Sequence, residues 1–184
     1  MSANRMTLRV TGYGGQGVIL STYILGKAAC IYSDFHSTMT QSFGPEARGS
    51  SCAAQLVIDK DRVLSPYAGQ QDVLIAMSQE GYVKYAGELK KNALLVYEKE
   101  LVTPQTNGQV RAFGVPATRL ASEKVGKVIT VNIIMVGFFA AISDVLGREA
   151  IEQAVKASVP AGTEKLNMLA FQTGYDYFQE HYTE

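Results

Sequence analysis

The chain carries no net charge: 17 lysines and arginines balance 17 aspartates and glutamates over 184 residues. That leaves no electrostatic footprint for nucleic acid or for an anionic membrane, and neither is expected as a partner. Cysteine and histidine are scarce, at two each. Cys30 and Cys52 form no C-x-x-C, so the chain predicts no iron–sulfur cluster of its own and no zinc site. Two scattered thiols fit a reducing cytoplasm, the expected location, better than a disulfide framework. Each reads as a buried small hydrophobe, not a reactive thiol. The N-terminus lacks a long apolar run, which predicts no signal peptide. The most apolar stretch, KVITVNIIMVGFFAAISDVLG, is interrupted by Thr130, Asn132, Ser143 and Asp144. It falls short of the roughly 20 residues that span a bilayer, and reads as a helix packed in a core or against a partner. No G-K-[ST] follows the glycines near the start, which excludes a P-loop.

The composition that remains, 47% hydrophobic and 18% charged, is that of a globular chain, and its length suits one domain over 1–184. Residues 6–12 read as a strand, and the glycines after it lead into a helix over 17–30. HSTMTQS (36–42) and SCAAQLVID (51–59) read as two strands spaced for direct antiparallel pairing. DVLIAMS (72–78) has the continuous apolar character of a strand covered on both faces. Ser78 is placed to cap the next helix, with Glu80 in its first turn. Strands are predicted over 92–100 and 109–115, and Pro116 starts a short helix. The last third is helical: 131–146 ended by Gly147 as a C-terminal cap, then 148–157, then 163–181. This order predicts a three-layer α/β/α domain with a mixed, mostly parallel sheet, a Rossmann-like start and a helical C-terminal third.

Two glycine-bearing loops carry the chemistry. In LRVTGYGGQGV, Gly12, Gly14 and Gly17 spell G-x-G-x-x-G between a strand and a helix. Gly12 permits a tight turn, Gly14 and Gly15 let a ligand approach the backbone, and Gly17 lets helix and strand pack closely. Free N–H groups at the helix start favour an anion. Gln16 faces the loop mouth, where its amide suits a ligand or a neighbouring chain. The same glycines would also serve a plain βα turn. A dinucleotide fold needs an acid about 20 positions further on, at the tip of the second strand. Asp34 is the nearest candidate and precedes that strand, so the nicotinamide pattern is incomplete. The second loop, QSFGPEARGSS, brackets Pro45, Glu46 and Arg48 between Gly44 and Gly49. Arg48 offers a fork for a carboxylate or phosphate, or else only a local ion pair with Glu46. His36 reads as a solvent-facing strand residue, and the tyrosines of GYDYFQEHY (174–182) as amphipathic packing or a partner contact.

Taken together, GYGGQGV, SFGPEARG, DVLIAMSQEGYVKY and VNIIMVGFFAAISDVLG resemble the gamma subunit of the 2-oxoacid:ferredoxin oxidoreductases, from about Leu8 to Tyr177. The resemblance implies oxidative decarboxylation of a 2-oxoacid with coenzyme A, giving acyl-CoA, CO₂ and electrons for ferredoxin. Thiamine diphosphate and [4Fe-4S] clusters are implied in partner subunits, alpha and beta with delta as a further candidate. The gamma subunit is implied to help bind coenzyme A or to assemble the complex. It has no catalytic residue of its own and is inactive alone. The wording G-P-E-A-R-G resembles the 2-oxoglutarate type, with pyruvate and branched-chain oxoacids as alternatives. Ser50, where a second glycine often follows, leaves the oxoacid open. The implied binding residues are Gly12, Gly14, Gly15, Gln16, Gly17, Gly44, Pro45, Glu46, Arg48 and Gly49. Two other readings stand beside this one. In one the subunit only docks, using the apolar helix and the tyrosine-rich tail. In the other it is a free dinucleotide-binding domain. An isolated chain with an exposed apolar patch could also dimerise.

Overall fold

The computed structural model describes residues 5–44, 49–67, 69–106 and 108–183. Within them, β1 (Arg5–Tyr13), α1 (Val18–Ile31), β2 (His36–Phe43), β3 (Ser51–Asp59), β4 (Gln71–Ala76), α2 (Gln79–Tyr85), β5 (Leu89–Glu98) and β6 (Arg111–Val115) build one sheet and its first helices. The short α3 (Ala117–Leu120), α4 (Val131–Ile142), α5 (Arg148–Lys156) and α6 (Glu164–Tyr182) follow. The strands lie in the order β2-β3-β1-β4-β5-β6. β3 runs antiparallel to both β1 and β2, while β1-β4, β4-β5 and β5-β6 are parallel. The mixed α/β sheet and the expected hairpin are both present.

The two faces of the sheet are covered unequally. Met6, Leu8 and Val10 of β1, with their neighbours on β3 and β4, face a core closed by α1, α4, α5 and α6. The opposite face carries a smaller cluster under α2, with Leu74, Ala76, Tyr82, Tyr85, Leu95 and Val102. There Arg9 is largely withdrawn from solvent. It stacks over the Tyr85 ring at 4.1 Å, pairs with Glu88 at 2.9 Å and donates to Gln55 Oε1 at 3.0 Å. Ser78 caps α2 as expected, its side chain accepting from the Gly81 N–H at 3.1 Å.

Two expectations are corrected. Gly147 does not end a helix running to residue 146. α4 stops at Ile142, where Ser143 turns extended, and the Ser143 Oγ accepts from the Leu146 N–H at 3.0 Å. A serine hydroxyl offers backbone donors an alternative to the helix, and Gly147 instead begins α5. The second correction concerns Cys30, which is exposed on the last turn of α1, with Ser37 Oγ 3.1 Å away. Cys52 is buried, and burial pushes its thiol pKa up, as suits an inert side chain.

The apolar helix is spent inside the molecule. Ile133, Ile134, Val136, Phe138 and Phe139 of α4 are almost wholly buried, so this helix is not free to dock on another chain. The tail also turns inward. Phe178 and Tyr182 pack edge-on against Phe113 and Phe138, and the Tyr182 hydroxyl donates to Gly114 O at 2.8 Å on the edge strand β6. α4 and α6 touch backbone to backbone. A Cβ on Gly137 would strike the Phe171 carbonyl, and one on Gly174 would strike that of Ile134. Ala at either position gains about 1 kcal/mol of helix propensity. It meets a backbone that cannot swing aside, and overpacking costs about 1–3 kcal/mol or more. Gly174→Ala is therefore expected to lower stability by about 1 kcal/mol or more net in chemical denaturation, the overpacking cost less the gain in propensity. An unchanged or raised midpoint would show that the two helices can separate without penalty.

A buried carboxylate ties the far end of the sheet together. Asp72 accepts from the Thr7 N–H at 2.9 Å, from Thr7 Oγ1 at 2.8 Å and from Lys90 Nζ at 2.8 Å. Burial alone would raise its pKa. The Lys90 ammonium and the two Thr7 donors outweigh that and hold it below the ordinary carboxylate value. Folding thus favours the ionised form. Its contribution is complete above the unfolded pKa, about 3.9, and is lost as pH falls through the lower folded value. In Asp72→Asn this acid-sensitive part is absent. The Tm difference between wild type and variant is expected to shrink from pH 7 to pH 3, as followed by thermal denaturation.

Candidate functional site

The glycine loop sits where the sheet changes direction. α1 leaves β1 toward β2, while α2 leaves the adjacent parallel strand β4 toward β5 on the other face. Such switch points, at the carboxyl ends of strands, leave a crevice in open α/β sheets. Gln16 spans its floor. Its Oε1 accepts from the Tyr13 N–H at 2.6 Å, and its Nε2 donates to the Met77 carbonyl, at the end of β4, at 3.2 Å. The side chain expected to face a ligand is thus bonded within the chain at both ends. Gly12 makes this possible, since a Cβ there would lie 2.5 Å from Gln16 Oε1.

Gly15 and Gly17 adopt φ of +97° and +76°. Gly17 begins α1, and no side chain caps that helix start or places an acid in its first turn. The first N–H groups of an α-helix have no partner within it, so those of α1 point out of the loop. Under Gly17 lies Asn132 of α4; a Cβ on Gly17 would fall 2.6 Å from its Nδ2.

The ends of the second loop meet the first. The Gly14 N–H donates to Ser50 O at 2.9 Å, and the Gly49 N–H to Gly14 O at 3.3 Å. The Gly44 N–H donates to Ser51 O at 2.9 Å. Gly49 and Ser50 are thereby brought to the glycine loop, continuing the β1–β3 ladder past Tyr13 and Ser51, while Gly44 continues the β2–β3 ladder past Phe43 and Cys52. Pro45, Glu46 and Arg48 lie outside the described residues. Asp34 falls at the opposite end of the sheet. His36 and Arg5 both pair with Asp59, whereas Phe43 and Gly12 both pair with Cys52. The strand beside β1 on that side is the antiparallel β3, not the second parallel strand of a dinucleotide fold. His36 is exposed, as expected.

Two residues that sequence reasoning passed over shape the crevice. Glu98 is fully buried at the end of β5. Its Oε2 accepts from the Thr118 N–H at 2.7 Å and Oγ1 at 2.8 Å, and its Oε1 accepts from the Glu100 N–H at 3.0 Å. It thereby fixes Thr118 and the Leu101 turn as one wall of a cleft of about 270 Å³. Gly15, Gln16, Val128, Ile129 and Val131 line the rest. Asn132 is the other. A lone amide at the second position of an otherwise apolar helix was its one signal. Among the described residues, no His, Cys, Asp or Glu cluster could hold a metal ion, and no helix is long and apolar enough to cross a membrane.

Residues 7–177 match the family model described as pyruvate ferredoxin/flavodoxin oxidoreductase. The chain belongs to this family. The 2-oxoglutarate synthase subunit KorC of Methanothermobacter thermautotrophicus is 38% identical over 182 residues, covering 96% of each chain. The solved gamma subunit of a keto/oxoacid ferredoxin oxidoreductase from Geobacter sulfurreducens is 35% identical, with a TM-score of 0.82, over 93% of this chain and 96% of its own. The fold recurs at 17% identity and a TM-score of 0.84 in a 2-oxoglutarate:ferredoxin oxidoreductase from Magnetococcus marinus, covering 98% of this chain and 32% of that one. Within the oxidoreductase family the chain is thus like the gamma subunits, and like those of the 2-oxoglutarate type, as its paired loops imply.

The geometry makes Gln16 the brace of the family's first loop. Gln16→Ala would leave the Tyr13 N–H and the Met77 carbonyl without this partner, at a cost of about 1–2 kcal/mol. Faster hydrogen exchange at the Tyr13 amide is expected with it. Unchanged exchange would mean that the two bonds do not hold the loop.

Proposed function

We propose that the chain is the gamma subunit of a cytoplasmic 2-oxoglutarate:ferredoxin oxidoreductase, in which its paired loops bind the phosphate groups of coenzyme A. The overall reaction consumes a 2-oxoacid, coenzyme A and two oxidised ferredoxins, and yields acyl-CoA, CO₂, a proton and two reduced ferredoxins. Thiamine diphosphate and iron–sulfur clusters, held by the alpha, beta and delta partners, would supply the decarboxylation and the electron path. This chain's share is to hold the thiol donor. The observation that carries it is the meeting of Gly14 with Gly49 and Ser50, which joins both loops at the uncapped start of α1. A helix N-terminus with glycine-lined backbone is suited to phosphate, and Arg48 adds a fork for the same anion.

The same edge favours a second role, assembly. Phe43, Leu101, Val128 and Ile129 are exposed around the loops, and apolar side chains gathered in this way mark an interaction site. Docking by this rim and binding by the loops are compatible.

Anaerobic affinity purification from the native cells, followed by viologen reduction assays, tests the assignment. Brown material that is active with 2-oxoglutarate and coenzyme A is expected, and a faster rate with pyruvate would change the oxoacid. In the assembled enzyme, Arg48→Ala should raise the KM for coenzyme A roughly 10- to 100-fold, the loss of a hydrogen bond to a charged group. The KM for the oxoacid should not move. A complex that falls apart while the remaining intact enzyme keeps its coenzyme A kinetics would leave only the docking role.

A further inference from the structure

The two edges of the sheet are finished differently. β6 is five residues long and begins with Arg111. The Tyr182 hydroxyl covers it, donating to the Gly114 carbonyl at 2.8 Å and accepting from the Gly114 N–H at 3.3 Å. β2, at the other end of the strand order, is eight residues long. Its sequence, HSTMTQSF, holds no lysine, arginine, aspartate, glutamate or proline, and its ladder with β3 runs without a bulge. Short length, charge, proline, bulges and covering side chains are what keep a sheet edge from pairing with another strand. β6 has its length, Arg111 and Tyr182. Among the described residues, β2 has none of these.

The open backbone groups of β2 can be assigned residue by residue. The Gly44 N–H bonds to Ser51 O at 2.9 Å, in continuation of the β2–β3 register. Antiparallel ladders bond at alternate residue pairs. Ser42, Thr40, Thr38 and His36 therefore turn their backbone groups to β3. Ser37, Met39, Gln41 and Phe43 turn theirs outward along the edge. This outward set is symmetric about Thr40. The side chains alternate as well: Met39 packs toward the core under α1, whereas Thr40 and Ser42 line a hollow on the opposite face beside Arg9 and Tyr85.

We propose that β2 is the contact surface for a second copy of this chain. The two strands pair antiparallel about a twofold axis at Thr40 and join the sheets into one. In this register Ser37 stands opposite Phe43 of the other copy, and Met39 opposite Gln41, so every outward residue of both strands enters the ladder. On the other face Thr40 meets Thr40 and Thr38 meets Ser42, and such cross-strand hydroxyl pairs add hydrogen bonds. A twofold contact requires a self-complementary patch, which this strand supplies in backbone and in side chains. Charge permits it too. The strand is uncharged and the chain has no net charge, so two copies do not repel one another. Beside the edge lies a groove of about 360 Å³ between α1 and β2, with Tyr23, Ile31, Met39 and Leu56 in its walls. Tyr23 and Ile31 are 52% and 66% exposed. Lys27, the cation of this groove, is turned to the Ala157 carbonyl at 2.8 Å. The twofold axis sets the two grooves on the same side of the joined sheet, where their apolar side chains gain cover. An extended segment of an unlike chain would use the same backbone groups, but the match of the strand to itself favours a second copy. The contact does not rest on the coenzyme A reading of the loops.

Sedimentation of the full chain at micromolar concentration is expected to show a dimer. Thr40→Lys sets two ammonium groups against each other at the axis. It should raise the dimer dissociation constant about 100-fold or more, the effect of like charges brought face to face. Gln41→Pro removes an outward N–H at an edge position, where proline is tolerated, and should weaken the dimer while leaving Tm unchanged. Thr40→Cys in a Cys30→Ser background reads the register. Residues opposed as a non-hydrogen-bonded pair have Cα atoms about 4.5 Å apart, within disulfide reach. Mild oxidation should link the two copies through residue 40, and Thr38→Cys, which stands opposite Ser42, should not link them. A link through residue 40 that forms only in the assembled enzyme supports the contact there. A monomer in solution with no link in the assembled enzyme overturns the proposal. So does a dimer that survives both Thr40→Lys and Gln41→Pro, and so does a link from residue 40 to a different subunit, which would give the edge to that subunit.

Discussion

Gly17 has no side chain, and the amide of Asn132 fills the space where one would be. Much of the molecule hangs on this contact. It fixes the start of α1 against the start of α4, so the first βα turn is set by a residue far along the chain. α4 in turn locks onto α6 through Gly137 and Gly174, where backbone meets backbone. A glycine turn of ordinary appearance is thereby held in place by the whole helical third. Gln16 braces it from below and the β1–β3 ladder secures its side.

The local grammar of the fold was legible. The spacing of two strand-like runs marked the β2–β3 hairpin, a continuous apolar run marked β4, and Ser78 announced the start of α2, because each signal is carried by neighbours in sequence. The pairing of the two loops was also legible as a motif, and the structure explains it by the bonds between Gly14 and the Gly49–Ser50 end. What escaped the sequence depends on distant residues. Gln16 was read as facing outward because nothing nearby shows the Met77 carbonyl waiting for its amide. Gly147 was read as a stop because the Ser143 hydroxyl, which ends α4 earlier, competes through a turn invisible in periodicity. α4 was offered as a docking surface because apolarity alone does not say whether the helix faces its own core or a partner. Asn132 gave one weak sign, a lone amide among apolar neighbours, and Glu98, followed directly by Lys99 and Glu100, gave none.

Among the described residues, the site is built almost wholly from backbone and neutral side chains. Such a site can accept an anion without an imidazole that would titrate near neutral pH. This suits a subunit that presents a co-substrate to chemistry carried out elsewhere. The exposed Phe43, Leu101, Val128 and Ile129 rim the same edge, so the place where a ligand would enter is also the place where a neighbouring chain gains most by covering apolar surface.

The α4–α6 interlock bears on how the chain comes into being. Domains commonly gain structure as the ribosome delivers them, N-terminal parts first. Here the sheet and α1 can be made early, but α4 emerges with Phe138 and Ile134 bare. The helix that covers them, with Gly174 shaped to receive the Ile134 carbonyl and Tyr182 to fasten the edge of β6, is synthesised after them. A nascent chain of this protein therefore carries its most apolar segment uncovered until α6 has followed α4 by some twenty residues of intervening chain.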